Sequence, residues 1–258
     1  MKIALCTPRC GPPSWHYHDS VVRWQIHHYT EHPEIGTLHL HPARALPIDV
    51  ARNLLVDQFL RTDADYLWFV DQDAAFLTGT LDRLLSRNLP IVGALEMMRL
   101  PECCFPMALA DAAPGGKEAG QHRVQAPEVY RFIGQHYEYT SNSPQMLGEP
   151  PEDSLLLTRF TGCHCLLIER SVVERMEAPW FQGYNPGGED QYFCEKAAEM
   201  GVATYVDMSV LVGHACTDRI IGAFDFMSAF RFLDELERLE HLDHPQDAAL
   251  TEWNDASS

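Results

Sequence analysis

Apolar residues fall into short, dense runs separated by longer segments where they recur every three or four positions. The runs at 2–7, 66–70 and 90–95 read as strands. Tyr66-Leu-Trp-Phe-Val70 is unbroken, as in a central parallel strand covered on both faces. Residues 37–41, Thr-Leu-His-Leu-His, alternate as a strand with one polar face. The stretch 14–30 reads as a helix with Trp15, Val22, Ile26 and Tyr29 on one face. A second helix, 49–62, carries Val50, Leu54 and Phe59 behind Asp49 as N-cap. Further helices are predicted at 79–88, from Ser171-Val-Val-Glu174 as a capping box, at 188–200 ending at Gly201, and at 223–240. Strands are predicted at 160–168 and 203–206, with another apolar run at Val210-Leu-Val212. Strand and helix alternate through the first hundred residues, which predicts an α/β fold with a mostly parallel central sheet flanked by helices. Residues 99–157, rich in Pro, Gly, Ser and Asn, are too long for an idle connector and read as an insertion or lid. A single domain over 1–258 is expected, carrying this insertion and a polar tail at 241–258.

Composition narrows the class. Of 258 residues, 46% are hydrophobic and 22% charged, which excludes disorder and low complexity and allows a substantial core. No apolar run approaches the roughly 18 residues of a membrane span, and the apolar stretch at the N-terminus is too short for a signal peptide. A cytoplasmic protein with reduced thiols is therefore expected, its eight cysteines being too sparse for a disulfide scaffold. The net charge of −18 is uneven, with 9 Lys/Arg against 11 Asp/Glu in residues 1–100 and 10 against 26 in the remainder. Such a surface opposes broad adhesion to nucleic acid or anionic lipid.

Three places carry chemistry. Asp71-Gln-Asp73 follows the carboxyl end of the most apolar strand, the edge of an α/β sheet where ligands bind. Paired carboxylates there suit a hard divalent cation shared with substrate phosphates, although a polar turn after a strand has the same pattern. Gly187-Gly188-Glu189-Asp190 opens a helix, placing two carboxylates at its positive end, as plain capping also would. Gly213-His214 ends an apolar run and offers an imidazole, which scaffolding also uses.

Taken in order along the chain, these features resemble the GT-A family of nucleotide-sugar glycosyltransferases, over residues 2–98 and 158–216. The resemblance implies that Thr7, Pro8 and Arg9 hold the nucleoside and that Arg52, in Ala51-Arg52-Asn53-Leu54, lies on the nucleotide side. It implies that Asp71 and Asp73 hold Mn²⁺ or Mg²⁺ against the diphosphate of a UDP-sugar, with His214 completing the metal site. Asp190, paired with Glu189, is then the catalytic base of an inverting transfer, and Gly162 permits close approach near the donor sugar. His164, between Cys163 and Cys165, is read as packing.

Trp180 and Tyr184 stand before the acidic pair as candidate acceptor contacts, with buried core as the equal alternative. Compact bacterial and bacteriophage members of the family include enzymes that decorate hydroxymethylated pyrimidines in DNA. Arg123 and Arg131, interleaved with aromatics over 117–139, suit a phosphate backbone and a flipped base. The net charge favours a glycan or small-molecule acceptor instead. Two other readings stand beside the transferase. One is a haloacid-dehalogenase-like phosphatase using Asp71 and Asp73, though Ala75 occupies the position where that family has Thr or Val. The other is an inactive nucleotide-sugar-binding module.

Overall fold

The computed structural model describes residues 1–96, 107–109, 127–140, 143–183, 188–215 and 220–221. In chain order the elements are β1 (Lys2–Cys6), α1 (Trp15–Glu31), β2 (Gly36–Leu40), α2 (Ile48–Leu60), β3 (Tyr66–Val70), β4 (Ala74–Ala75), α3 (Thr80–Ser86) and β5 (Ile91–Glu96). They continue with β6 (Met107–Leu109), α4 (Pro127–His136), β7 (Tyr137–Thr140), β8 (Ser143–Met146), β9 (Leu155–Thr161) and β10 (Cys165–Glu169). The last are α5 (Arg170–Arg175), α6 (Glu189–Glu199), β11 (Thr204–Ala215) and β12 (Ile220–Ile221). The described residues fall into two units, one within 1–125 and 149–222 and one within 126–148.

In the first unit the strand alternation explains the layers. Ile3 and Leu5 of β1 and Trp68 and Val70 of β3 face the cover made by α1 and α3. Ala4, Cys6, Leu67 and Phe69 face the opposite cover of α2, α5 and α6. A strand buried on both faces must be apolar at every position, which is why these runs are unbroken. The main sheet runs β2-β1-β3-β10-β5-β11-β9-β6. β1 is parallel to β2 and β3, and β11 is parallel to β5. β10 and β9 run the other way, so the sheet is mostly parallel in direction.

Several local expectations change. The predicted face of α1 points outward: Trp15, Val22, Ile26 and Tyr29 are each more than half exposed. A competing stripe, Tyr17, Val21, Trp24 and His28, is buried, anchored by Trp24 edge-on against Trp68 at 5.1 Å. In α2 the N-cap is Pro47, without a side-chain cap bond. Asp49 sits in the first turn, where its carboxylate accepts from Val50 N at the positive helix end. Buried positions of α2 are Ala51, Arg52, Leu55, Val56 and Phe59, while Val50 is exposed.

The predicted strand 160–168 is two strands, β9 and β10, separated at Gly162-Cys163-His164. Conversely, 203–206 and 210–212 belong to one strand, β11, whose pairing with β5 shifts between Asp207 and Leu211. Buried Asp207 fixes that irregularity, accepting from Ser209 N at 2.9 Å and from Arg87 Nε at 2.6 Å. No capping box opens α5: Ser171 lies inside the helix and its hydroxyl donates to Glu169. Gly201 does end α6, in the left-handed region at φ 76°.

In the second unit, α4 buries Val129, Phe132 and Ile133, and β7 and β8 pair as a hairpin. The expected helix at 223–240, the tail at 241–258 and much of 99–157 lie outside the described residues. Cys6, Cys163, Cys165 and Cys194 are buried thiols, and Cys10 is an exposed one.

Candidate functional site

Backbone pairing assembles the site. Because β10 is antiparallel to β3, its first residues lie at the carboxyl edge of β3, and Asp71 N donates to His164 O at 2.9 Å. After the irregularity at Asp207, the far end of β11 passes β4, pairing His214 with Ala74. Ala215 N donates to Asp73 O at 2.7 Å. Three sequence-distant segments thus deliver Asp73, His164 and His214 to one point, their ligand atoms all within 4.8 Å of one another.

His164 Nδ1 lies 3.6 Å from Asp73 Oδ1, and His214 Nε2 lies 3.6 Å from Asp73 Oδ2. The two imidazoles overlap with centroids 4.1 Å apart. His164 Nε2 donates to Gly213 O at 3.3 Å, which leaves Nδ1 directed at the aspartates, and that atom is buried without a hydrogen-bond partner. An outer hydrogen bond that fixes the tautomer and aims the other nitrogen inward is the usual support of a metal-ligating histidine. The donor set therefore fits a divalent metal. Two nitrogens and one carboxylate suit Mn²⁺ or another transition ion better than Mg²⁺, which prefers oxygen.

Arg52 organises the carboxylates beside this cluster. It is fully buried, with Nη2 3.3 Å from Asp71 Oδ2, Nε 3.3 Å from Glu189 Oε1 and 3.6 Å from Asp190 Oδ1, and Nη1 donating to Cys163 O. Its guanidinium also stacks over Phe69 at 5.1 Å. Burial works against ionisation of Asp71, but Arg52, joined by His164 whenever its ring is protonated and no metal is bound, overcomes it and holds its pKa at about 2. Asp190 responds oppositely: burial, with Glu189 and Asp71 nearby, pushes it up to about 7 against the pull of Arg52. Two carboxylates sharing one arginine are thereby split into a permanent anion and a group that can exchange a proton near neutral pH. Glu96, at the end of β5 and missed in the sequence, is also pushed up by burial, to about 8.

No family model and no curated protein matches this sequence. Among solved structures, GalNAc-T7 with UDP, GalNAc and Mn²⁺ aligns over 83% of this chain at 12% identity, with a TM-score of 0.50. This chain has a GT-A-like fold. The alignment spans 43% of the GalNAc-T7 chain. A197 from STIV aligns over 86% of this chain and 90% of its own, at 16% identity and a TM-score of 0.49.

Within the GT-A-like frame the remaining candidates occupy distinct settings. Thr7 is buried, its hydroxyl 2.6 Å from Tyr17 Oη and 3.3 Å from His39 Nε2, so it knits β1 to α1 and β2. Pro8 is buried and Arg9 exposed. The loop they open reaches the acidic turn, where Ser14 N donates to Gln72 O at 2.8 Å. Gly162 is buried between β9 and β10. Trp180 is anchored: its backbone N–H donates to Asn53 Oδ1 and its indole N–H to Val173 O. It packs on the core and lines a shallow groove with Val50, Leu54 and Pro179. Tyr184 and Arg123 lie outside the described residues, and Arg131 is placed on α4 by its backbone alone.

Proposed function

We propose that this chain is a metal-dependent glycosyltransferase that moves a sugar from a nucleoside-diphosphate sugar to an acceptor hydroxyl, with inversion. The observation that carries the reading is the Asp73, His164 and His214 cluster at the carboxyl edge of β3. GalNAc-T7, with the same fold, was solved with UDP and Mn²⁺, which supports the class of donor and metal. Among the described residues no helix is long and apolar enough to cross a membrane.

Asp73, His164 and His214 would hold the metal. When bound, it supplies positive charge to the diphosphate as the glycosidic C–O bond breaks. Asp71 stays ionised under Arg52 and makes the site a strong attractor for cations. Asp190 accepts the proton of the acceptor hydroxyl as that oxygen bonds to the anomeric carbon, and nucleoside diphosphate leaves from the opposite side. A pKa of about 7 keeps a useful fraction of Asp190 ionised while leaving it basic enough for the task. Arg52 is a positioning residue, since its buried guanidinium is fully engaged by this chain. Thr7 and Arg9 belong to the nucleoside side in this reading, and Trp180 and Tyr184 to the acceptor side.

The test is hydrolysis and transfer with a panel of nucleotide sugars in Mn²⁺, comparing wild type with Asp73→Ala. Turnover of one donor, lost in the variant, is expected. Phosphatase activity needing no sugar nucleotide and lost in Asp71→Asn would overturn the reading in favour of a phosphatase.

A further inference from the structure

A second histidine and carboxylate cluster lies on the other cover of the sheet, sharing no residue with the first. His27 sits in the last turns of α1, His32 is its C-cap, and Asp82 is in the first turn of α3. His27 Nε2 is 3.0 Å from Asp82 Oδ2, and His32 Nε2 is 3.5 Å from Asp82 Oδ1. One ligand atom from each lies within 4.8 Å of the others.

The spacing hides this cluster, because residues five apart do not share a helical face. The C-cap conformation of His32, φ −132° and ψ 52°, leaves the helix and brings its ring to 6.2 Å from that of His27. The turn is pinned. His32 N donates to His28 O, Ile35 N donates to His32 O, and His28 Nε2 donates to Ile35 O at 3.1 Å. His32 Nδ1 faces Glu34 Oε1 at 3.7 Å. One ring nitrogen of His32 therefore faces a shared aspartate while the other faces an outer carboxylate, the arrangement that orients zinc-ligating histidines.

We propose that His27, His32 and Asp82 form a binding site for a borderline divalent cation of the Zn²⁺ class, which joins α1 to α3. Two imidazoles and one carboxylate are the donors zinc takes, with a fourth position left to water. Mg²⁺ and Ca²⁺, which require oxygen ligands, are excluded from it. The site is independent of the proposed transferase reading. A simple hydrogen-bonded His–Asp pair is the competing account, and it predicts no response to metal.

The experiment titrates Zn²⁺ against a chromophoric chelator, using the full chain carrying Asp73→Ala so that the strand-edge cluster is disabled. Relative to that parent, His32→Gln should weaken one Zn²⁺ site by more than the about 10–100-fold typical of an outer partner, and Glu34→Gln should weaken it by about that amount. An anomalous peak between the three side chains in crystals soaked with Zn²⁺ would agree. Unchanged Zn²⁺ affinity in both His32→Gln and Asp82→Asn, with each variant folded by circular dichroism, overturns the proposal. If either fails to fold, the Glu34→Gln titration and the anomalous map decide it, with unchanged affinity and an empty map both counting against the site.

Discussion

Asp73, His164 and His214 at the strand edge and His27, His32 and Asp82 between helices offer the same donors, two imidazoles and a carboxylate. Their surroundings differ. His164 is 3% exposed and Asp73 22%, with Arg52, Asp71, Glu189 and Asp190 converging beside them. In the helical cluster His27 is 32% exposed and His32 35%, with Glu34 as the further carboxylate in range. Donor identity alone makes a place for a cation. Reaction also requires a neighbour able to exchange a proton and a substrate edge, and only the first cluster has Asp190 and the carboxyl ends of the strands.

Breaking the first cluster should have the largest effect. Asp73→Ala is expected to lower Mn²⁺-dependent transfer on the order of 10³-fold, whereas His27→Gln leaves it unchanged in the same steady-state assay. Asp190→Asn should cost about 10²–10⁴-fold in kcat, the usual contribution of a positioned base, with Mn²⁺ binding retained. Stability should separate the regions too. Arg52→Met leaves three carboxylates facing one another and is expected to cost about 3–5 kcal/mol in chemical denaturation. Without added metal, His27→Gln, which removes a part-exposed pair, should cost less than about 1 kcal/mol.

The smallest expected effect is on the pH profile. Asp190 must be ionised to accept a proton, so kcat/KM should rise with pH up to about 7 and level off above it. Glu189 raises the pKa of Asp190, so Glu189→Gln should move that limb to lower pH. A limb that stays in place would assign it to another group.

The contrast also shows what the amino-acid pattern can reveal. Asp71, Asp73 and His214 were legible because each ends an apolar run, and ends of buried strands mark the sheet edge. His164 was not. The run from Phe160 to Ile168 is interrupted only by Thr161, Gly162 and His164, too little to mark two strands, and the reversal that brings its middle to the edge depends on pairing with β3, far away in sequence. The covered face of α1 was ambiguous for a local reason: two stripes of helical spacing compete, and Trp24 settles the choice by packing on Trp68. Arg52 looked like a ligand-facing cation. The convergence of Asp71, Glu189 and Asp190 from other segments draws it inward.

The most direct test of the central claim is the electron paramagnetic resonance signal of Mn²⁺ titrated with the chain, with and without UDP. The account predicts a Mn²⁺ site weakened separately by Asp73→Ala, His164→Gln and His214→Gln, and tightened by UDP in the wild type. Mn²⁺ binding indifferent to all three substitutions, or to UDP, would contradict it.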